Sequence, residues 1–530
     1  MTDTSAYDVA IIGYGPTGAT AANLLGRLGL KVVVIERDPD IFGRARAISI
    51  DEEVMRVWQA VGLSDRLQQD MLPDRPTSFV GSDGKAFLEM TVRSKGSGHP
   101  PQQFIYQPAV DEVLRQGVAR FPNVELLLEH ECLRVVNTPD DVELMLADLR
   151  TDTFKRLRAS YVIAADGGSS PTRGQLGIGY EGKTFGERWI VIDTKVHKIW
   201  DAHDRLRFHC NPSRPMVDCP TPLLHHRWEF PIRADEDEEK MSSHEEIWKI
   251  LKSQGITEDN VEILRAVVYS HHVRFADRWR AGRVFIAGDA AHAMPPWLGQ
   301  GMSAGVRDVS NLSWKIAAVL RGQAPVSLLD TYQAERMPHV KEVTRRAIRV
   351  GRLITDRNQT AANVRNRLMR PLTKIPGMDP VMQKIMWIPD SRYRTGFLTE
   401  GHPAAGWQLP QPTVSDTTGK TSRLDDFIGG QWAILHTGEI PSGAAAWTEI
   451  GASSFRIDSA NSAVPGAIRD TRGTLIRWMK HKKADALIVR PDGFIYAASS
   501  PGQRLPAPPT GLKALTTTPF VEPIPTGVSA

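Results

Sequence analysis

Cysteine is scarce in this chain of 530 residues: only Cys132, Cys210 and Cys219 occur. They fit no disulfide framework and no metal-ligand spacing, and there is no C-x-x-C, so a structural metal and dithiol redox chemistry are both unexpected. Long hydrophobic runs are also missing; none approaches the roughly 20 residues that a membrane-spanning helix needs. The first apolar strand pattern begins within ten residues of Met1 and leaves no room for a secretory signal peptide. A reduced, cytoplasmic compartment is therefore expected. Charge of one sign is lacking too. Lys and Arg total 65 against 61 Asp and Glu, a net +4 with no basic block, so neither nucleic acid nor a membrane is an expected partner. The acidic run at 235–239 reads as a solvated loop, and the arginines at 345, 346, 349 and 352 read as an exposed helix face.

What is present begins at residues 8–12, a short apolar run read as a buried parallel strand. Gly13-Tyr14-Gly15-Pro16-Thr17-Gly18 follows at once. Residues 19–28 read as a small-residue helix, and 31–35 as a second apolar strand ending in Glu36. Strand, G-x-G-x-x-G, helix, strand and acid together form a dinucleotide fingerprint. Gly13 makes the tight turn, Gly15 lets the backbone approach a pyrophosphate, and Gly18 allows close helix–strand packing. The helix N-terminus offers free N–H groups to phosphate, and Glu36 can accept hydrogen bonds from a ribose diol. This pattern alone does not separate NAD from FAD.

A second glycine-rich segment lies mid-chain. An apolar stretch at 284–287 runs into Gly288-Asp289-Ala290-Ala291-His292. Pro295-Pro296-Trp297-Leu298-Gly299-Gln300-Gly301-Met302 and a long helix over 302–320 follow. Glycine has no side chain to pack, so this many glycines point to backbone lying close to a large flat ligand. Another apolar strand, 161–165, ends in Asp166-Gly167-Gly168. Residues 104–121 read as a helix, 124–128 as a strand and 328–354 as a long helix. Residues 186–275 instead alternate, as in 189–196 and 227–232, which suggests an antiparallel sheet and a separate substrate domain. Composition shifts to Gly, Pro, Thr and Ser around 400–420. Beyond it 432–436, 453–458 and 484–489 are strand-like, with a hairpin turn at Asp492-Gly493. The Pro- and Thr-rich tail from 506 is expected to lie extended on the surface.

The order of these signals resembles the single-component FAD-dependent aromatic hydroxylases over about residues 6–355. Arg46 to Glu53, Gln107-Pro108, His209 to Pro212, Arg227 to Phe230, Asp308, Asn311-Leu312, Trp314-Lys315 and Tyr332 through Pro338 add to the match. Within the family the pattern is most similar to the branch acting on 3-(3-hydroxyphenyl)propionate and 3-hydroxycinnamate. The resemblance implies an α/β fold: a Rossmann-like FAD-binding domain, an inserted antiparallel-sheet substrate domain and a C-terminal thioredoxin-like module without C-x-x-C. The expected division is 1–75, 101–185 and 276–400 for FAD, 76–100 and 186–275 for substrate, and 401–530 for the module. Packing or homodimer formation is the expected role of that module.

The resemblance further implies roles for single residues. Glu36 holds the adenosine ribose, Arg46 and Gln107 reach the pyrophosphate and ribityl region, and Gly288-Asp289 hold the ribityl chain. Asp166 belongs to the same cofactor set. The backbone at Gly301 and Met302 faces the flavin pyrimidine, where a helix N-terminus stabilises negative charge on the reduced ring. NADH or NADPH reduces FAD, O2 is the oxidant, and a phenolic acid is hydroxylated ortho to its hydroxyl. Candidate catalytic residues are Pro295, through its carbonyl, His292 and Arg227. For His292 the plainer alternative is a hydrogen bond that holds structure. For Arg227, a flavin or substrate contact that with His225 or His226 could anchor the substrate carboxylate, the alternative is a surface salt bridge. Tyr106 and His209 are weaker candidates. Three rivals remain open: an FAD reductase or amine oxidase, a polyketide hydroxylase, and a non-catalytic FAD-binding protein. The missing cysteine pair disfavours the reductase, and the intact 299–302 loop disfavours the non-catalytic protein.

Overall fold

The computed structural model describes residues 6–41, 46–373, 375, 377–462 and 464–513. The tail expected to lie extended falls outside them from residue 514 onward. The first strand runs Ala6–Ile12 and lies parallel between Val32–Ile35 and Thr153–Ala164, with Val9 opposite both Val32 and Tyr161. Val284–Ile286 extends this parallel set on one side and Val124–Leu127 on the other. Parallel strands need cover on both faces, which is why they are continuously apolar rather than alternating. Val9, Ala10, Ile11 and the valines 32–34 are all fully buried. The Pro16–Arg27 helix, with Pro at its start and Gly18, Ala19, Ala21 and Ala22 buried, packs between this sheet and the Gly301–Leu320 helix. Small residues on that helix let its backbone sit close to both.

The alternating region forms a second, eight-stranded sheet. Its order is His292–Ala293, Val261–Ala276, Tyr180–Val196, His225–Pro231, Met216–Thr221, Leu206–His209, Thr77–Val80, Ala86–Met90. Alternation gives it two unlike faces. Ile190, Ile192, Trp228 and Phe230 share a core with Ile247, Trp248 and Leu251 of the His244–Ser253 helix. Trp189, Val191, Asp193, Arg227, Glu229 and Tyr269 face the other way, as their cross-strand register requires. The short His292–Ala293 strand pairs with Arg274 and Phe275, so the glycine-rich loop is stitched to this second sheet.

The Thr331–Thr355 helix carries Pro338 in its interior. Proline has no N–H and leaves the carbonyl four residues back without its helical donor. The Thr395 hydroxyl supplies one, donating to the Ala334 carbonyl at 2.9 Å. Arg346, expected on an exposed face with its neighbours, is instead tied down. It donates to the Lys384 and Trp387 carbonyls at 2.9 and 2.8 Å, fixing the Met378–Met386 helix alongside.

A seven-stranded mixed sheet forms the C-terminal module, with Ala433–His436 at its centre between parallel Ser453–Ser459 and antiparallel Ala486–Val489. The expected hairpin joins Ala486–Val489 to Ile495–Ser499. Trp432, Trp447 and Tyr496 pack with Trp314 of the long helix. Within this interface Glu335 accepts from Arg490 at 2.8 and 3.0 Å, from the Lys315 ammonium at 2.8 Å and from Asn311 at 2.5 Å. Arg56 makes a two-pronged pair with Asp425 at 2.6 and 2.7 Å. The module is thus bolted to the rest of the chain by buried ions as well as aromatic rings.

Removing one member of a buried ion cluster leaves the others uncompensated and costs about 3–5 kcal/mol. Glu335→Ala should lower unfolding free energy by about that much in a urea titration; a change under about 1 kcal/mol would show the cluster to be dispensable. Burial alone would raise the Glu335 carboxyl, but Arg490 and Lys315 bring it down to about 2. Its contribution is therefore complete above the unfolded carboxylate value of about 4.3 and is lost as pH falls toward about 2.

Candidate cofactor and active site

The fingerprint glycines separate into two kinds. Gly13 takes φ +97°, and a Cβ there would lie 2.5 Å from the Ala165 carbonyl oxygen. A Cβ on Gly18 would lie 2.0 Å from the Gly13 oxygen. Both are glycine because protein is in the way. Around Gly15 and Gly301 nothing comes within 4 Å of the same point, so the fold itself does not demand glycine there. Those two positions border open space that a ligand's approach would use. Glu36, at the end of Val32–Ile35, accepts from the Tyr14 N–H at 2.7 Å and the Asp38 N–H at 3.0 Å. Its carboxylate is thereby held over the turn.

The Gly-Asp turn is built around a buried carboxylate. Asp308, two turns into the Gly301–Leu320 helix, accepts from the Gly288 N–H at 3.1 Å and contacts His292 Nε2 at 2.6 Å. Its other oxygen accepts from Arg336 at 2.9 Å. Burial would raise the Asp308 carboxyl, but His292 and Arg336 carry it below its ordinary range. His292 is sealed from solvent beneath Trp279. This geometry favours the structural alternative for His292 over the catalytic one.

Arg173 clamps the same turn from the other side. It donates to the Ala290 carbonyl at 3.0 Å and to the Gly168 carbonyl at 2.9 Å, so the two Asp-Gly turns share one guanidinium. Its plane lies 3.7 Å from the Tyr180 ring centroid, and the Tyr180 hydroxyl donates to the Asp289 carbonyl at 2.8 Å. Nothing in their local sequence marked Arg173 or Tyr180. Solvent reaches the Asp289 side chain although protein crowds it closely. That crowding raises its carboxyl, with His292 and Arg46 opposing. Asp166 accepts from the Thr172 N–H at 3.1 Å, and its second oxygen is buried without a partner.

Pro295 is buried and immediately precedes the single turn Pro296–Leu298. Gln300 and Gly301 then start the long helix, whose first turn has no side-chain cap and no acid. Its N–H groups and the half-buried Met302 border the cleft. Arg307 holds Gln300 at 3.1 Å while paired with Glu53 at 2.8 Å and with Asp51. Gln107 braces the opposite wall, accepting from the Arg46 and Ala47 N–H groups at 3.0 and 2.8 Å.

The roof corrects the expectation for Arg227. Its guanidinium is buried, donating to both oxygens of Asp193 at 2.7 and 3.1 Å and to the Arg46 carbonyl at 2.9 Å. The salt bridge is internal rather than on the surface, and it ties the sheet to the cofactor wall instead of presenting a free cation to substrate. His226 points to the opposite face, where it and His209 both meet buried Asp218, at 3.2 and 2.6 Å. That places both away from the cleft. His225 and Tyr106 stack at 4.4 Å with rings 2° apart.

These features fit FAD. Open space lies at Gly15 and Gly301, the Gly301–Leu320 helix starts without a side-chain cap, and Asp289 reaches solvent in the turn that Asp308 ties to that helix. Asp289→Ala should remove a charge-assisted hydrogen bond of about 1.5–3 kcal/mol, lowering FAD affinity by one to two decades. Gly18→Ala should destabilise the fold, whereas Gly15→Ala should fold and bind FAD more weakly. Flavin titration beside thermal melts separates the two; equal loss of stability in both variants would show that the open space at Gly15 does not matter.

A family model described as an FAD binding domain matches residues 6–347, and one described as an HcaD C-terminal domain matches 406–512. A relative from Burkholderia cenocepacia, named 3-(3-hydroxy-phenyl)propionate/3-hydroxycinnamic acid hydroxylase, is 34% identical over 92% of this chain and 93% of its own. Proteins of the same name from Comamonas testosteroni and Escherichia coli K12 are 32% and 34% identical over 93% of this chain, covering 94% and 92% of their own lengths. Among solved structures, the flavin-dependent monooxygenase PieE, in complex with FAD and substrate, aligns with TM-score 0.78 at 22% identity, covering 94% of this chain and 96% of its own. Aklavinone-11 hydroxylase, with FAD and aklavinone, aligns at 0.76 and 24% over the same shares. The fold is theirs, and by its matched domain and its relatives the chain belongs to the family of FAD-dependent aromatic hydroxylases.

Proposed function

We propose that this hydroxylase acts on a phenolic aromatic acid, adding oxygen ortho to the existing hydroxyl with NADH or NADPH and O2. The first substrates to test are 3-(3-hydroxyphenyl)propionate and 3-hydroxycinnamate, giving 2,3-dihydroxy products. The observation that carries this reading is the open space at Gly15 and Gly301 near the solvent-reached Asp289, in a chain whose relatives bear those substrate names over most of their length. When bound, FAD supplies the redox chemistry, accepting hydride and activating O2.

The chain's residues supply position and exclusion of water. The start of Pro16–Arg27 meets the pyrophosphate, Glu36 the adenosine ribose, and Asp289 with Gly288 the ribityl chain. Asp166, Arg46 and Gln107 complete the wall. The N–H groups at Gly301 and Met302 face the site where the reduced ring gathers negative charge. Pro295 shapes the loop, and its carbonyl is the proposed contact to ring or substrate. Trp189, Trp297 and Val191 close the cleft against water.

The division at 1–75, 101–185 and 276–400, at 76–100 and 186–275, and at 401–530 is supported by sheet membership, since Thr77–Val80 and Ala86–Met90 pair within the second sheet. The buried contacts of the C-terminal module support a packing role. Its likeness to thioredoxin and its part in a homodimer remain proposals, the latter checked by sedimentation. Three free cysteines support a reducing, cytoplasmic setting, and no helix among the described residues is long and apolar enough to cross a membrane.

Purified protein should be yellow, release its flavin on acid precipitation, and oxidise NAD(P)H faster with 3-(3-hydroxyphenyl)propionate while forming the dihydroxy acid. Because Arg227 braces Asp193 and Arg46, Arg227→Met should impair the acid and the uncharged 3-propylphenol alike. A selective rise in KM for the acid would restore Arg227 as its anchor. Turnover with a polycyclic phenol alone would replace the proposed substrate and leave the hydroxylase intact.

A further inference from the structure

One carboxyl group on the roof has no hydrogen-bond donor among the described residues. Glu229 lies on the same face of His225–Pro231 as Arg227, two residues away. Its ladder neighbours on that face are Val191 and Val217, both largely buried. Its side chain is 12% exposed, and its single ionic neighbour, Arg227, stands 3.7 Å away, beyond hydrogen-bond distance. Arg227 directs its hydrogen bonds to Asp193 and the Arg46 carbonyl instead. Among the described residues no group donates a hydrogen bond to this carboxylate. A largely buried carboxyl group between valines, whose one nearby cation spends its hydrogen bonds elsewhere, is only partly compensated for its desolvation.

Other charges frame it. On its own strand stands Arg227. Asp193 and Arg265 lie across the sheet on one side, and Cys219 on the other. Tyr269 shares the face, 46% exposed, and its phenol is raised to about 12 by burial with the charges of Asp289 and Glu229 beside it. Asp289 and Arg46 stand on the cofactor side. Glu229 and Asp289 thus both lie within electrostatic reach of the exposed Tyr269 side chain. Burial raises its carboxyl, Arg227 opposes, and Asp193 adds to the rise. A base so raised is better matched to a phenol than an ordinary surface glutamate.

Resting on the phenol-hydroxylase reading above, we propose that Glu229 is the general base that takes the proton of the substrate's ring hydroxyl. The phenol O–H bond breaks, its electron pair stays on the ring oxygen, and the proton forms a new O–H bond on Glu229. The ring carbon ortho to that oxygen gains electron density and would bond to one oxygen atom of the O2 that reduced FAD activates; the O–O bond would break, its electron pair leaving with the other oxygen, which takes up a proton and ends as water. The ring then holds a ketone beside a carbon bearing both hydrogen and hydroxyl. Glu229 returns its proton to the ketone oxygen, the carbon-bound hydrogen leaves to solvent as a proton, and aromaticity is restored. The glutamate ends as it began.

The test uses FAD-loaded enzyme, 3-(3-hydroxyphenyl)propionate and ring-fluorinated analogues with progressively more acidic phenols. In Glu229→Gln, dihydroxy product from the parent acid should fall on the order of 100-fold or more. That loss should shrink as the phenol becomes more acidic, and Glu229→Asp should recover part of it. A loss that is uniform across the fluorinated series would overturn the assignment, since a purely structural defect ignores phenol acidity. Wild-type enzyme gives a second reading that no folding defect can blur. The ultraviolet difference spectrum of bound substrate should show ionisation at lower pH than in free solution; ionisation at the free value overturns the proposal. Wild-type enzyme that hydroxylates none of these phenols would instead remove the functional reading beneath it.

Discussion

The buried carboxylate of Asp308 is the constraint on which the cofactor side of this molecule depends. It binds three things that are far apart in sequence: the turn at Gly288, the histidine at 292 and the arginine at 336. An ion this deep costs several kcal/mol to desolvate and persists only when its lone pairs are used. The consequence is positional. The helix carrying Asp308 begins at Gly301, so fixing Asp308 against Gly288 also fixes the helix start against the Gly-Asp turn. Thr17 reports how tight this assembly is, since a Cβ on Gly305 would come within 2.3 Å of its hydroxyl and one on Gly288 within 2.8 Å. The two glycine-rich segments meet at that threonine and form one site.

The same helix pair carries the C-terminal module. Arg336 and Glu335 are adjacent, yet they serve different networks. Arg336 enters the Asp308 cluster, and Glu335 receives Lys315, Asn311 and Arg490. Neighbouring positions on a helix point about 100° apart, so one turn can face two interiors at once. Pro338 follows two residues after Arg336 in the same unbroken helix, and Thr395 caps the carbonyl it frees. Cofactor loop and C-terminal module are therefore braced by a single stretch of helix, and the module's sequence contains no cysteine.

Local constraints made the cofactor site legible in the sequence. A positive φ at Gly13 or a 2.0 Å approach at Gly18 admits one residue type, and the strands around them must be apolar on both faces. The roof was less legible, because alternation tells which residues share a face but not what they meet there. Arg227 shows this: its partner Asp193 lies 34 residues away and is brought opposite only by register. His225 and His226 were grouped with it, yet period-two geometry sends His226 to Asp218 on the far face. Arg173 escaped notice because its work is done through backbone carbonyls at 168 and 290, which carry no sequence signature. Glu229 carries no signal of its own in the sequence, since a glutamate in an alternating strand reads by default as solvent-facing.

Asp193 and Glu229 flank Arg227 on one sheet face, and the chain treats them unequally. Asp193 receives hydrogen bonds from Arg227 and also from Arg265 at 2.5 Å; burial works against it, but these cations carry its carboxyl below the ordinary range. Glu229 receives neither arginine's hydrogen bonds and is raised. Environments that push two neighbouring carboxyl groups in opposite directions divide their labour. The lowered one stays ionised and works as architecture, holding the sheet to the Arg46 wall through Arg227. The raised one keeps a proton affinity closer to working pH. Had Arg227 been free to bind a substrate carboxylate, Asp193 would have kept only Arg265 and the Arg46 carbonyl would have lost the hydrogen bond from Arg227. Committing the arginine to structure is what leaves a carboxyl group beside the cleft available for chemistry.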